Sequence, residues 1–246
     1  MTEETTQLEF SSDITVKLVR AMAADEFVVQ AAQVSSKGET EVEELVAAYL
    51  AGEIKVDRFI AALMAGRHGS PFEHNAFTFF IEAPLFVFRE WQRHRISSYN
   101  EMSGRYTKMQ PKFYITPRDR AMINVGTKMR PEMIPASEEV YARHVARKKN
   151  TAEIAWASYQ ADLADGIANE VAREDLPLNL YSQMYWTTNA RSMMNFLSLR
   201  VESDDSLVRS YPQREIMWGA QKVEEHFKKL MPLTQQAFVE KGRVAP

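Results

Sequence analysis

No glycine or proline interrupts residues 137–163. The tract is rich in Ala and Glu and carries apolar residues at long helical spacing, which predicts one helix from Ser137 to about Leu163. Any fold for this chain has to be arranged around that element. A second pattern narrows the choice: Phe77, Phe79 and Ile81 alternate with Thr78, Phe80 and Glu82, the period of a strand rich in aromatic residues. Both periods occur in one chain with no convincing linker, internal repeat or low-complexity tract. The expectation is therefore a single α+β domain over residues 1–246, helix-rich around a small mixed or antiparallel sheet.

The rest of the chain is punctuated to match. Residues 1–12 are polar and expected to fray. Ile14 to Leu18 reads as a strand, and Asp25 opens a helix through Ala32 that Val34-Ser35-Ser36-Lys37-Gly38 closes. Helices are expected from Glu41 to Leu50, with Val42, Leu45, Val46 and Leu50 on one face, and from Val56 to Met64, with Phe59, Ile60 and Leu63; a Gly follows each. Arg67 to Pro71 is a turn. Pro84 suits the first turn of a helix from Leu85 to about Arg93. Ile96 to Tyr106 is crowded with Ser, Asn and Gly and reads as an ordered loop. Phe113 to Ile115 is a short strand ended by Pro117. Then come a helix from Asn169 to Arg173, a strand from Leu180 to Thr187, a helix from Asn189 to Leu199 with Met193, Phe196 and Leu197 inward, and a last helix from Gln213 to Leu230 before a short tail. That makes three or four short strands.

The chain has no cysteine. Disulfides, thiolate metal sites and cysteine nucleophiles are excluded together. Its five histidines are scattered, and His68 and His74 lack the helical i, i+4 spacing of zinc proteases, so no metal is expected. A net charge of -3 gives no general attraction to nucleic acid or anionic membranes. The longest apolar runs, such as Ala83 to Phe88, fall far short of a membrane span, and Met1-Thr2-Glu3-Glu4 lacks a signal-peptide pattern. The expectation is a cytoplasmic protein without membrane or nucleic-acid partners.

Against that acidic background, Arg89, Arg93, Arg95 and Arg105, with Lys108 just beyond, crowd one segment with His94, Ser97, Ser98, Asn100, Glu101 and Ser103. Guanidinium forks bind phosphate oxygens bidentately, and hydroxyls and loop amides add donors. The cluster suits a phosphorylated small molecule. It equally suits a solvated basic face in which Glu73 and Glu101 pair with Arg93 or Arg95. An RNA-binding loop with Tyr99 and Tyr106 as stacking platforms is a third reading, disfavoured by the net acidity. A catalytically inert helical interaction protein is a fourth.

The order of residues separates these readings. Arg93-His94-Arg95-Ile96-Ser97-Ser98-Tyr99-Asn100-Glu101-Met102-Ser103-Gly104-Arg105-Tyr106 resembles the hallmark motif of flavin-dependent thymidylate synthases. Further segments follow the same family: Ala31 to Ser35, His68 to His74, Arg173 to Tyr181, and Asn189 to Arg200. The likeness spans about residues 30 to 205. It implies reductive methylation of dUMP to dTMP, with 5,10-methylenetetrahydrofolate as carbon donor and NADPH-reduced FAD as hydride donor. It also implies a homotetramer whose active sites form where subunits meet.

By the same resemblance, Glu90, Trp91, Gln92, Arg93, Glu101, Met102, Ser103, Gly104, Arg105, Arg173 and Arg200 contact dUMP, with Arg200 the catalytic residue beside the uracil. Ser70, Arg93, His94, Arg95, Glu101, Asn189, Ala190, Arg191 and Asn195 contact FAD, with Ser35 and Glu73 as weaker candidates, and His68 lines the folate or nicotinamide side. Two departures stand out: Glu90 replaces the Gln of several relatives, and Gln33 replaces an Arg near the expected FAD edge. Ser103 is expected to bind phosphate or pyrimidine rather than to act as a nucleophile, because no Ser–His–Asp arrangement supplies a base. Asn189 and Asn195 do not share a helical face, which makes Asn189 better placed as an N-cap. His74, His144 and His226, the Phe77/Phe79/Ile81 stripe and the Met193/Met194/Phe196 cluster are assigned to surface or core.

Overall fold

The computed structural model describes residues 7–39 and 41–246. The fraying expected of residues 1–6 and the facing expected of the Val42 side chain lie outside what it describes. The chain opens with β1 (Glu9–Ser11), β2 (Thr15–Met22), α1 (Asp25–Lys37), α2 (Val42–Leu50) and α3 (Val56–Ala65). A 3-10 turn (Ser70–Glu73) leads to β3 (Ala76–Pro84), α4 (Leu85–Trp91), β4 (Ser98–Glu101), β5 (Lys112–Tyr114), β6 (Ile123–Asn124) and β7 (Met133–Ile134). Next come α5 (Glu138–Ala164), α6 (Asn169–Ala172), a second 3-10 turn (Arg173–Asp175), β8 (Tyr181–Thr188), α7 (Ala190–Arg200), α8 (Arg214–Leu230) and α9 (Pro232–Glu240). The helix-rich α+β fold expected from the sequence is present, with small sheets.

The structure differs from expectation in five places. Residues 9–11, inside the segment expected to fray, form β1 and pair in parallel with β5, Phe10 opposite Phe113. The expected loop from Ile96 contains β4, which joins the four-stranded sheet of order β2-β3-β8-β4. A short β6–β7 antiparallel pair and α9 were not expected. Helix α1 runs through the polar Ser35-Ser36 pair and stops only at Gly38, whose φ of 77° suits a residue without Cβ.

The chain divides into two compact units: Met1–Thr15, Ile81–Trp91 and Asn100–Met184 form the first, and Val16–Phe80, Gln92–Tyr99 and Tyr185–Pro246 the second. In the first, α5 starts where the Ser137 hydroxyl accepts from Val140 N at 3.3 Å, with Glu138 and Glu139 favouring the helix N-terminus. Its buried Ala152, Trp156 and Tyr159 pack with Met109, Phe113, Ala172 and Leu180. Each large side chain withdrawn from water contributes about 1.5–3 kcal/mol. The Tyr159 hydroxyl also accepts from Met109 N at 2.9 Å, fixing the strand approach to β5.

In the second unit, Phe77, Phe79, Trp186, Phe196 and Phe227 are fully buried. Phe79 stacks on Trp186 at 5.6 Å, Trp186 meets Phe196 at 5.0 Å, and Phe227 of α8 stands edge-on to Phe77 at 6.1 Å. The aromatic strand and the Met193/Met194/Phe196 cluster are core. Ile216, Ala220, Val223 and Phe227 repeat at helical spacing along α8 and give it one buried face. Asp25, in the first turn of α1, also caps α9: its carboxylate accepts from Leu233 N and Thr234 N at 2.9 Å each and from Thr234 Oγ1 at 2.6 Å. Among the described residues no helix is long and apolar enough to cross a membrane.

Candidate active site

In the first unit the turn after β4 carries Ser103, Gly104 and Arg105. Arg105 N donates to Ser103 Oγ at 3.3 Å, while Tyr106 N and Thr107 N both donate to Ser103 O at 3.1 Å, so the turn is wound tightly on Ser103. Arg173, at the start of the second 3-10 turn, lies directly against Gly104. A Cβ there would stand 3.0 Å from Arg173 Cδ, 3.3 Å from Arg173 Nη1 and 2.8 Å from Met109 Sδ. The structure thus brings the Arg173 side chain against the turn that carries Ser103 and Arg105, from a segment about seventy residues away.

Arg105 Nε donates to Glu170 Oε2 at 2.6 Å, with both side chains about half exposed (53% and 50%). So exposed a pair adds little to stability. Its physical effect is to fix one edge of the Arg105 guanidinium and turn the others outward. Glu170 is absent from the sequence-expected site; its placement in the first turn of α6, near Arg173 in sequence, is the only local hint. Met102 is tied down through its backbone N, which donates to Gln183 O at 2.8 Å. Glu90 is half-buried, and Trp91 is fully buried, so the Trp91 side chain cannot touch a ligand and only its backbone could.

In the second unit a different set converges on the N-terminus of α7. Asn189 is its N-cap, accepting from Ser192 N at 2.9 Å, as the spacing argument expected. Ala190 N is bound at 2.7 Å by Asn75 Oδ1, a buried side chain that sequence reasoning did not single out. Arg191 lies flat against Gly69, where a Cβ would fall 2.5 Å from its Cζ. Arg191 also pairs with Glu73 at 2.6 Å and donates from Nε to Pro246 O at 2.7 Å. Glu73 therefore pairs with Arg191, not with Arg93 or Arg95. Ser70 heads the adjoining 3-10 turn and is exposed, and Asn195 sits one turn along α7, its amide on Arg191 O at 3.2 Å.

The other end of α7 holds Arg200. Its Nε donates to His94 Nε2 at 3.1 Å. The His94 ring stands edge-on to Phe196 at 4.9 Å, and His94 O accepts from the Tyr99 hydroxyl at 2.7 Å. Burial, then the Arg200 charge, lowers His94 to about 4, so the imidazole is neutral. Burial pushes Tyr99 up to about 12, which keeps its hydroxyl protonated as the donor. Gln92, Arg93 and Arg95 are exposed in the same segment.

Three weaker expectations fare differently. Gln33 is buried in α1, only 6% exposed, rather than at an open edge. Ser35 is exposed, and its hydroxyl donates to Ala32 O within its own helix. His68 is exposed, its ring lying over Gly66.

The donor set of the second unit suits FAD. An anionic dinucleotide needs cations and hydroxyl donors, here Arg191 and Ser70 beside the start of α7, whose Ala190 and Ser192 amides are already bonded to Asn75 and Asn189, and Gly69 leaves room for the Arg191 plane. The neutral, packed His94 offers an aromatic edge.

Residues 17–233 match the family described as "Thymidylate synthase complementing protein". The chain is similar to the flavin-dependent thymidylate synthase of Tropheryma whipplei (strain TW08/27), 48% identical over 238 residues, covering 96% of this chain and 97% of the relative. It is also similar to that of Streptomyces coelicolor, 45% identical over 241 residues, covering 98% and 96%. Among solved structures it resembles a UMP/dUMP methylase, PolB, from Streptomyces cacaoi. With 5-Br UMP bound, the TM-score is 0.87 at 40% identity, covering 97% of this chain and 99% of that one. With 5-Br dUMP bound, the TM-score is 0.88 at 40% identity, covering 97% and 100%.

Proposed function

This chain belongs to the thymidylate synthase complementing protein family, the flavin-dependent thymidylate synthases, and on that premise we propose that it converts dUMP to dTMP. The carbon comes from 5,10-methylenetetrahydrofolate. FAD, reduced by NADPH, supplies the hydride when bound. The observation that carries the assignment of the substrate end is the packing of Arg173 on Gly104 beside Ser103 and Arg105. That arrangement presents two cations and a hydroxyl to a phosphate bearing close to two negative charges.

Each group then has a definite task. Arg105 and Arg173 neutralise the phosphate, with Glu170 holding Arg105 in orientation. Arg200 faces the uracil and stabilises the ring as it loses the N3 proton; a close guanidinium lowers such a pKa by about 1–3 units. The anionic ring is richer in electrons at C5, where the new carbon bond forms. Ser70, Arg191 and the start of α7 would hold FAD, with Arg93, His94 and Arg95 beside it. Backbone groups of Glu90 to Gln92 and Glu101 to Met102 complete the nucleotide contacts. The chain acts as one catalytic domain, in homotetramers whose sites draw residues from more than one subunit.

The test uses purified protein with FAD, NADPH, dUMP and methylenetetrahydrofolate. Expected results are a yellow preparation, NADPH oxidation stimulated by dUMP, and dTMP by chromatography. Protein that neither carries nor takes up FAD would sink the reading. Arg200→Ala is expected to keep FAD and lose dTMP formation. A second reading, methylation of UMP, is favoured by one observation: the similar solved chain is a UMP/dUMP methylase crystallised with 5-Br UMP. Replacing dUMP by UMP at equal concentration decides between them.

A further inference from the structure

The hydrogen bond between Arg200 and His94 has a direction. Arginine has only donors, so Arg200 Nε gives its hydrogen and His94 Nε2 accepts it at 3.1 Å. The imidazole is then neutral, with its own proton on Nδ1. Two further contacts hold His94 and its ring still. Phe196 stands edge-on to it at 4.9 Å, the Tyr99 hydroxyl pins the His94 carbonyl at 2.7 Å, and Phe196 itself has no exposed surface. Phe196 lies four residues before Arg200 on α7, one helical turn away on the same face. The Phe196 ring that backs His94 and the Arg200 guanidinium are therefore mounted on one edge of α7.

We propose that His94 is a positioning residue for Arg200: its bare Nε2 fixes the guanidinium plane and so directs the terminal amines to the carbonyl edge of a pyrimidine ring. This rests on the reading of Arg200 as the uracil-facing group. It is a task separate from any contact His94 makes with the flavin. An arginine side chain has several rotatable bonds, and tying Nε removes the freedom of the last of them. The terminal amines carry the other four N–H donors of the same guanidinium. Preorganisation of that kind acts on the charge that develops in the reaction more than on ground-state binding, so its loss appears in kcat. The low basicity of His94 supports the same picture, since a protonated ring could not accept.

The experiment compares His94→Gln, whose amide oxygen can still accept, with His94→Leu, which fills space without an acceptor. Both are made in the full chain and assayed at saturating FAD, with flavin occupancy read from visible absorbance. His94→Leu is expected to lose roughly tenfold or more in kcat for dTMP formation, the scale of one hydrogen bond to a charged group. KM for dUMP should move much less, and His94→Gln should recover most of the loss. Equal impairment of the two variants overturns the proposal, as does a His94→Leu kcat within about threefold of the parent. Nitrogen NMR of the unmodified protein with labelled histidine and arginine gives a second, activity-free readout. A proton on Nδ1 and coupling of Nε2 to the Arg200 Nε–H support the proposal, and a proton on Nε2 overturns it. If the unmodified protein makes no dTMP, the functional reading fails by itself, and the nitrogen spectrum still decides the hydrogen bond.

Discussion

Gly104→Ala tests whether the Arg173 guanidinium is held where a phosphate needs it. Gly104 is buried and its φ is not positive, so alanine suits the backbone and the whole effect comes from the added Cβ. That atom would stand 3.0 Å from Arg173 Cδ and 2.8 Å from Met109 Sδ. Carbon atoms rest at about 3.5–4.0 Å, so Cδ has to retreat by roughly half an ångström or more. The guanidinium, further out on the same lever, moves by about an ångström, enough to spoil a charge-assisted hydrogen bond of about 1.5–3 kcal/mol. The dissociation constant for dUMP should therefore rise roughly ten- to hundredfold. Stability should fall by up to about 2.6 kcal/mol, because about 1–3 kcal/mol of repacking at Met109 outweighs a gain of about 0.4–1 kcal/mol from stiffening the unfolded chain. The assay is calorimetric titration with dUMP on FAD-loaded protein, with flavin absorbance and thermal melting as controls. Gly104→Ala protein that binds dUMP as tightly as the parent, while Arg173→Ala does not, would refute the placement of Arg173 by this contact.

Asp25→Ala strips the acceptor from two main-chain N–H groups and one hydroxyl at the start of α9, and about 2–4 kcal/mol of stability should be lost in urea titrations. Burial also holds the Asp25 carboxyl above its ordinary 3.8, so in the window from 3.8 up to that raised value the folded chain binds more protons than the unfolded one. The stability of the parent relative to Asp25→Asn should accordingly fall as pH rises through that window. His94 has the opposite sign: with a folded value of about 4 against 6.5, the unfolded chain takes the proton first. Stability should drop as pH falls from about 6.5 to about 4, a slope that His94→Gln removes in urea midpoints measured across that range. Asn189→Ala should lower stability by about 1 kcal/mol through loss of the α7 cap, and weaken FAD binding in a fluorescence titration.

What could be seen in the sequence was what short-range chemistry determines. The capping geometry of Asn189 follows from residues three apart, and the uninterrupted α5 from propensity alone. What escaped depends on distant partners. Helix α9 begins at Pro232, good N1 chemistry, but its cap is supplied by Asp25, more than two hundred residues earlier. Strand β4 is made of Ser, Tyr, Asn and Glu, poor strand formers as a group, and its place in the sheet comes from β8. Among site residues, the family resemblance named Arg105, Arg173 and Arg191 but not what orients them. Glu170 and Asn75 act through partners 65 and 115 residues away, and Gly69 matters because of the side chain lying on it.

These distant partners share one feature. Three of the arginines assigned to ligand have donors already committed: Arg105 to Glu170, Arg191 to Glu73 and a backbone carbonyl, Arg200 to His94. A guanidinium has five N–H donors, so one edge can be spent on orientation while the others remain for a ligand. Lysine, with a single rotating ammonium, could not divide its donors this way. In a chain without cysteine, positioned charge is the resource that the proposed reaction draws on. Oriented guanidinium groups deliver it without reorganisation at the moment of reaction.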